Sequence, residues 1–144
     1  MKKLQHLVFL AAALLLIATP TFADSPRSIV GTWAASVAGV PTSLFTFAAD
    51  GTLTAAANTS AASGGHGVWV KTGSRSYQGK NVSFLYNATT GAAEFVLESQ
   101  FDFVVSNDGN SAASPNIVVT IKLLDGTVVN TFTTSSTLSR VTLD

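Results

Sequence analysis

The sequence has no cysteine, and charged side chains make up only 11% of its 144 residues. Without thiols, disulfides, cysteine nucleophiles and structural zinc sites are excluded. Histidine is almost as scarce, since His6 and His66 are the only two. Because a multi-histidine metal centre cannot be built from them, we expect no metal site and no cofactor. A small chain without disulfides has to be stabilised by burial of its apolar side chains.

The chain also lacks an excess of charge of either sign. Eight Lys and Arg residues balance eight Asp and Glu residues, and no basic stripe occurs. Proteins that bind nucleic acid neutralise phosphates with clustered Lys and Arg, and anionic membranes attract the same clusters. We therefore expect neither a nucleic-acid partner nor an anionic membrane partner.

The N-terminal 23 residues are typical of a cleaved secretory signal. Lys2 and Lys3 precede an unbroken apolar run of 12 residues, Leu7 to Ala18, and a small residue, Ala23, precedes the expected cleavage point. As a helix, 12 residues rise about 18 Å, well short of the roughly 30 Å hydrocarbon core of a bilayer. We therefore predict an exported protein, periplasmic or extracellular, with no membrane span after cleavage and one domain over residues 24–144.

Alternation of apolar and polar residues dominates the rest of the chain, and almost nothing in it indicates a helix. The clearest example is residues 93–105, where apolar and polar side chains fall on opposite faces of an extended strand. The apolar face carries Phe95, Leu97, Phe101 and Phe103, and the polar face carries Glu94, Glu98, Gln100 and Asp102. This pattern predicts a strand with one buried face.

Turn residues divide the alternating region into eight predicted strands. Asp50-Gly51 and Asp125-Gly126 are typical of two-residue hairpin turns. The predicted strands are 29–36, 43–49, 52–57, 67–72, 77–86, 93–105, 116–124 and 127–141. An antiparallel meander of eight strands can remove its exposed edges by closing on itself. We therefore predict an all-β fold, an eight-stranded up-and-down β-barrel.

The first predicted strand carries Gly31-Thr32-Trp33, which resembles the Gly-x-Trp motif of the lipocalin and wider calycin group. The strand count and the place of the motif also resemble that group. The resemblance implies that Trp33 packs across one end of the barrel. It also implies that a late arginine, here Arg140, packs against that tryptophan.

Four residues are candidates for contact with a ligand: His66, Trp69, Tyr86 and Glu98. His66 and Trp69 follow two glycines, so they could grip a ligand at the barrel mouth. Alternatively His66 is solvated and Trp69 belongs to the core. Tyr86 could line an aromatic cavity or pack in the core. Glu98 faces water unless the polar strand face lines the lumen.

These features rank three functions. The leading hypothesis is a non-catalytic protein that binds an apolar or amphipathic small molecule inside the barrel. The second is a cofactor-free cyclase or isomerase, which would work by holding its substrate in a reactive shape. The third is a structural or adhesive surface protein whose strands pair with a partner.

Overall fold

The computed structural model describes residues 28–142, and the predicted signal sequence lies outside them. The described chain forms eight strands. They are β1 (Gly31–Val37), β2 (Val40–Phe47), β3 (Thr52–Ala57), β4 (Gly65–Lys71), β5 (Ser76–Tyr86), β6 (Ala93–Val105), β7 (Ser111–Leu123) and β8 (Val128–Arg140).

Each strand pairs antiparallel with the next along the chain, and β8 pairs with β1 to close the barrel. The prediction of a closed eight-stranded antiparallel barrel is confirmed, and the fold is consistent with a calycin-like architecture. Within residues 28–142 there is no helix long and apolar enough to cross a membrane.

The strand bounds differ most from prediction in β7, which begins at Ser111 rather than at residue 116. The Ser, Ala and Pro residues of 111–115 are typical of a loop. In the structure, the β7–β8 register shifts between Ser114 and Ile117. Proline cannot donate a hydrogen bond to a neighbouring strand, so an irregular step in the ladder accommodates Pro115 within β7.

A tight hairpin that the sequence did not indicate joins β1 to β2. Ala38 and Gly39 both have positive φ, 49° and 78°, as a two-residue turn of the primed type requires. Alanine rarely adopts this conformation, so Ala-Gly is a weaker turn signal than Asp-Gly. For this reason β2 begins three residues earlier than predicted.

The two ends of the barrel are different. The lower end carries the chain segments 48–51, 72–75 and 106–110, and the upper end carries 38–39, 58–64, 87–92 and 124–127. β1 pairs with β8 only from Trp33–Ser36 to Thr137–Arg140. The upper halves of β5 to β8 therefore rise past β1, and we call them the upper wall: residues 82–86, 93–99, 117–123 and 128–134.

The segment between β3 and β4, which the sequence suggested as a mobile loop, is held against β5. Ala62 forms an isolated bridge with Leu85, and the Ser63 backbone N–H donates to the Phe84 carbonyl at 2.8 Å. This segment therefore continues the barrel wall upward beside β5.

Aromatic side chains fill the lower half of the lumen. Phe47 packs edge-on against Phe103 with ring centroids 5.4 Å apart, and Phe101 and Phe103 lie 4.6 Å apart. The surrounding buried residues are Ile29, Trp33, Leu53, Tyr77, Val105, Ala112 and Leu138. The lower lumen is a packed core.

Candidate functional site

Trp69 belongs to the aromatic core. Its ring lies 6.3 Å from that of Phe47 and 5.7 Å from that of Tyr77, centroid to centroid. The indole N–H donates to the carbonyls of Ala48 and Thr52, each at 3.0 Å. Trp69 thus fixes the β2–β3 turn at the lower end of the barrel, away from the open upper end.

His66 and Glu98 lie on the outer surface. Both pair with Val82, His66 from β4 and Glu98 from β6, so all three point to the same face of the sheet. Two strand spacings separate His66 from Glu98, which amounts to about 10 Å. His66 is exposed to solvent. The inward-facing residues of β6 are instead on the Phe101 side.

Glu98 is the centre of an ion-pair ladder on this outer surface. Its carboxylate oxygens lie 2.9 Å from Lys80 Nζ on β5 and 2.7 Å from Lys122 Nζ on β7. Hydrogen bonds from Lys122 and then Lys80 hold the pKa of Glu98 below its ordinary value. A carboxylate held ionised in this way ties three strands together.

Tyr86 ends β5 at the upper end, after a register shift from Leu85, and is half-buried. The structure therefore separates the four candidates: Trp69 is in the lower core, Tyr86 at the upper end, and His66 and Glu98 outside. They do not form one site, and a ligand contact for any of them stays a prediction.

Arg140 and Trp33 meet at the lower end of the barrel. Trp33 is fully buried, and the guanidinium carbon of Arg140 lies 4.3 Å from the centroid of its ring. Arg140 also donates to the carbonyls of Val30 and Gly109, each at 2.8 Å, and to that of Ser28. The side chain closes this end by connecting the N-terminal segment to the β6–β7 turn.

Gly31 is required for this closure. Its φ of +123° disfavours any side chain, and a Cβ there would lie 2.9 Å from Arg140 Nη1. The glycine of the Gly-x-Trp motif therefore leaves the space through which the guanidinium reaches Trp33 and the carbonyl of Val30.

Two buried polar groups without partners lie above the aromatic core. Asn81 on β5 is 7% exposed and Ser114 on β7 is 0% exposed. Neither the Asn81 Oδ1 atom nor the Ser114 Oγ atom has a hydrogen-bond partner within the described residues. Buried polar atoms are nearly always paired, so two orphans in one barrel mark a functional candidate.

The walls around Asn81 are made of small residues. Gly65 faces it from β4, and a Cβ on Gly65 would lie 2.4 Å from Asn81 Oδ1. Ser99 on β6 pairs with Asn81, and Val119 on β7 pairs with Ser99, so both face the lumen beside it. Together with Ser83, these residues form the floor of a space that we call the upper lumen.

Above this floor, the inner face of the upper wall is apolar and partly exposed. Register places these side chains on the same face as Asn81: Leu85, Phe95, Leu97, Ile121, Leu123 and Phe132. Leu123 is 38% exposed and Phe132 is 44% exposed, although both point inward. The upper lumen thus combines a polar floor with an apolar wall that opens to solvent.

Two open cavities lie nearby. One, of about 540 Å³, runs under the β1–β2 hairpin and is lined by Ser114 and Ser136 among others. The other is a groove of about 520 Å³ on the outer face, crossed by β4 to β7 and lined by Val68, Gln100 and Asn116 among others. The first continues the polar floor toward the outside, and the second is separate from the lumen.

Sequence reasoning missed Asn81 and Ser114. The signal for Asn81 was present, because Tyr77, Gly79, Asn81 and Ser83 share one face of β5 by alternation and Tyr77 is a core residue. Ser114 gave no such signal, since the bulge that positions it was not predicted.

No protein-family model matches this chain, and neither a curated protein nor a solved structure matches it. The functional argument therefore has to come from the barrel itself.

Proposed function

We propose that this protein binds a neutral amphipathic small molecule in the upper lumen, with the polar end of the ligand toward Asn81. The observation that carries the proposal is the unpartnered, buried Oδ1 of Asn81 at the base of a partly exposed apolar wall.

The chemistry of the floor indicates what the ligand offers. An amide oxygen is an acceptor only, so it requires a hydroxyl or N–H donor from the ligand. Leaving such an atom unsatisfied costs about 1–3 kcal/mol, and a ligand donor would remove that cost. Ser114 Oγ can donate or accept, so the floor suits a neutral hydroxyl or amide group better than a carboxylate.

The apolar wall accounts for the rest of the ligand. An alkyl or ring body against Phe95, Leu97 and Phe132 would remove apolar surface from water, at about 25 cal/mol for each Å². The filled lower lumen limits how deep the ligand can lie. We therefore restrict the binding site expected from the sequence to the upper half of the barrel.

Binding is favoured over catalysis because the named lining residues of the upper lumen carry no titratable group. Glu98 and His66, the candidates for acid or base work, point away from it. A cyclase or isomerase here would have only hydrogen bonds and shape to work with.

The proposal includes export, which the N-terminal sequence favours. Expression of the full chain in a bacterium, followed by intact-mass measurement of the soluble protein, would test it. A mass that begins at Asp24 supports export, and an uncleaved cytoplasmic product contradicts it.

The binding test uses a fluorescent fatty alcohol and its matched alkane, which lacks the donor. Trp33 and Trp69 are the only tryptophans, and both lie in the lower barrel, so energy transfer from them reports a probe in the lumen. We expect the alcohol to bind more tightly than the alkane.

Two variants locate the site. Asn81→Leu should abolish the preference for the alcohol, while the matched Asn116→Leu on the outer groove should leave it unchanged. Loss of binding in Asn116→Leu alone would move the site to the outer surface and refute the proposal, as would failure of both probes to bind.

A further inference from the structure

One stretch of the barrel has a backbone edge that no described strand covers. β8 pairs with β7 along its length, but with β1 only from Thr137 to Arg140. Five residues of regular strand, Asn130–Thr134, therefore have a strand on one side only. We call them the free edge.

The free edge lacks the devices by which proteins normally prevent edge pairing. Charged residues, prolines and covering loops usually protect such a strand. Here β8 carries no charge from Val128 to Ser139 and contains no proline. A register shift at Ile121/Lys122 marks the upper limit of the regular stretch, and the five residues below it have high strand propensity.

The residues of the free edge also complement themselves. In an antiparallel pair centred on Phe132, this residue faces its own copy on the inner side of the sheet. On the outer side, Thr131 faces Thr133 of the other copy. Aromatic pairs and Thr–Thr pairs are both favourable across strands, and no charges oppose each other.

We propose that the free edge pairs antiparallel with the same segment of a second copy of this chain, giving a symmetric dimer. A two-fold axis at Phe132 makes the contact isologous and closed, so that it stops at two copies. The two upper walls become one continuous sheet, and Phe132, now 44% exposed, becomes covered.

The contact is small, since five residues of strand extend about 17 Å. Interfaces of this size are weak and depend on concentration. We therefore expect a reversible monomer–dimer equilibrium in the purified mature protein, measured as average mass by sedimentation equilibrium over a wide concentration range.

Three double variants test the register. In T131K/T133K, the two introduced ammonium groups of one copy face those of the other, so the protein should stay monomeric at every concentration. In T131K/T133E, the same positions place opposite charges together, and the dimer should return. The control T54K/A56K adds two lysines to exposed positions of β3, which lies between β2 and β4, and should dimerise like the parent protein.

A parent protein that stays monomeric over the whole range would overturn the proposal. So would a T131K/T133E variant as monomeric as T131K/T133K, or a control that loses the dimer to the same degree. These substitutions point away from the lumen, so the outcome is independent of ligand binding.

Discussion

The Arg140 guanidinium covers the ring of Trp33, 4.3 Å from its centroid, while its N–H groups bond to three backbone carbonyls. Charge-assisted hydrogen bonds and a cation–π contact therefore act through one side chain. This arrangement joins the first and last strands, which are the two that must meet for the barrel to close.

We expect Arg140→Ala to lower the free energy of unfolding by about 3 kcal/mol, because a charged group held by several hydrogen bonds and an aromatic ring is lost. Arg140→Lys should lose about half as much, because an ammonium group cannot reach all three carbonyls. Urea denaturation followed by tryptophan fluorescence measures both. Arg75→Ala is the control: Arg75 donates to the Val105 carbonyl at 2.9 Å, and loss of this bond should cost about 1 kcal/mol. Equal losses at the two arginines would contradict a special role for Arg140.

Gly65 and Asn81 provide a second test, of the packing at the floor of the upper lumen. A Cβ on Gly65 would collide only with the Asn81 side chain among its nearest neighbours. Gly65→Ala should therefore destabilise the protein by about 1–3 kcal/mol, the usual range for overpacking. In an Asn81→Ala background the same substitution should cost much less, and the double-mutant cycle gives the coupling.

Gly67 is the matched control for this cycle. A Cβ there would lie 1.9 Å from the Lys80 backbone oxygen, which truncation of a side chain cannot move away. Gly67→Ala should be severely destabilising both in the parent protein and in the Asn81→Ala background. If Asn81→Ala rescued both glycine variants equally, the proposed contact between Gly65 and Asn81 would be wrong.

Much of the barrel was predictable because its strands alternate regularly. Phe95, Leu97, Phe101 and Phe103 share the face that the sequence indicated, and the predicted bounds of β6 were those observed. The first residues of β7 were not predictable, because their Ser, Ala and Pro composition favours a loop. Only pairing with β6 and β8 makes them extended.

The candidate site was less predictable, and Trp69 shows why. Alternation indicates that Trp69 faces the lumen, but not at which height. Height depends on the stagger of all eight strands, which only the register around the whole barrel determines. Thus Trp69 was expected at the mouth as one of two alternatives, and the structure has it in the lower core.

Glu98 leads to a prediction about pH. Its pKa is below the ordinary value of 4.5 in the folded protein, mainly because of the hydrogen bond from Lys122 and then that from Lys80. A lowered folded-state pKa stabilises the protein above the unfolded-state pKa, and this contribution is lost as the pH falls through the folded-state pKa. The free energy of unfolding should therefore decline below about pH 4.5.

The measurement is urea denaturation of the parent protein and of Glu98→Gln at neutral and acidic pH. At neutral pH the variant should be less stable by about 1 kcal/mol or less, since exposed ion pairs contribute little. Toward acidic pH the two curves should converge. Glu94→Gln, on the same strand, is the control and should run parallel to the parent curve; a constant gap for Glu98→Gln would contradict the prediction.

The two Asp-Gly turns should respond differently to the same substitution. Gly51 and Gly126 both have positive φ, 86° and 92°, which an alanine adopts only with strain. A Cβ on Gly126 would meet nothing within 4 Å, whereas one on Gly51 would lie 3.3 Å from the Trp69 carbonyl oxygen. Gly126→Ala should therefore lower the free energy of unfolding by about 1 kcal/mol from backbone strain alone. Gly51→Ala should cost more, because the turn beneath Trp69 has to shift as well. Gly126→Asn should lose less than Gly126→Ala, since asparagine tolerates the left-handed region. Urea denaturation of the three variants measures these costs, and a Gly51→Ala loss no larger than that of Gly126→Ala would show that the turn can move away from the Trp69 carbonyl without cost.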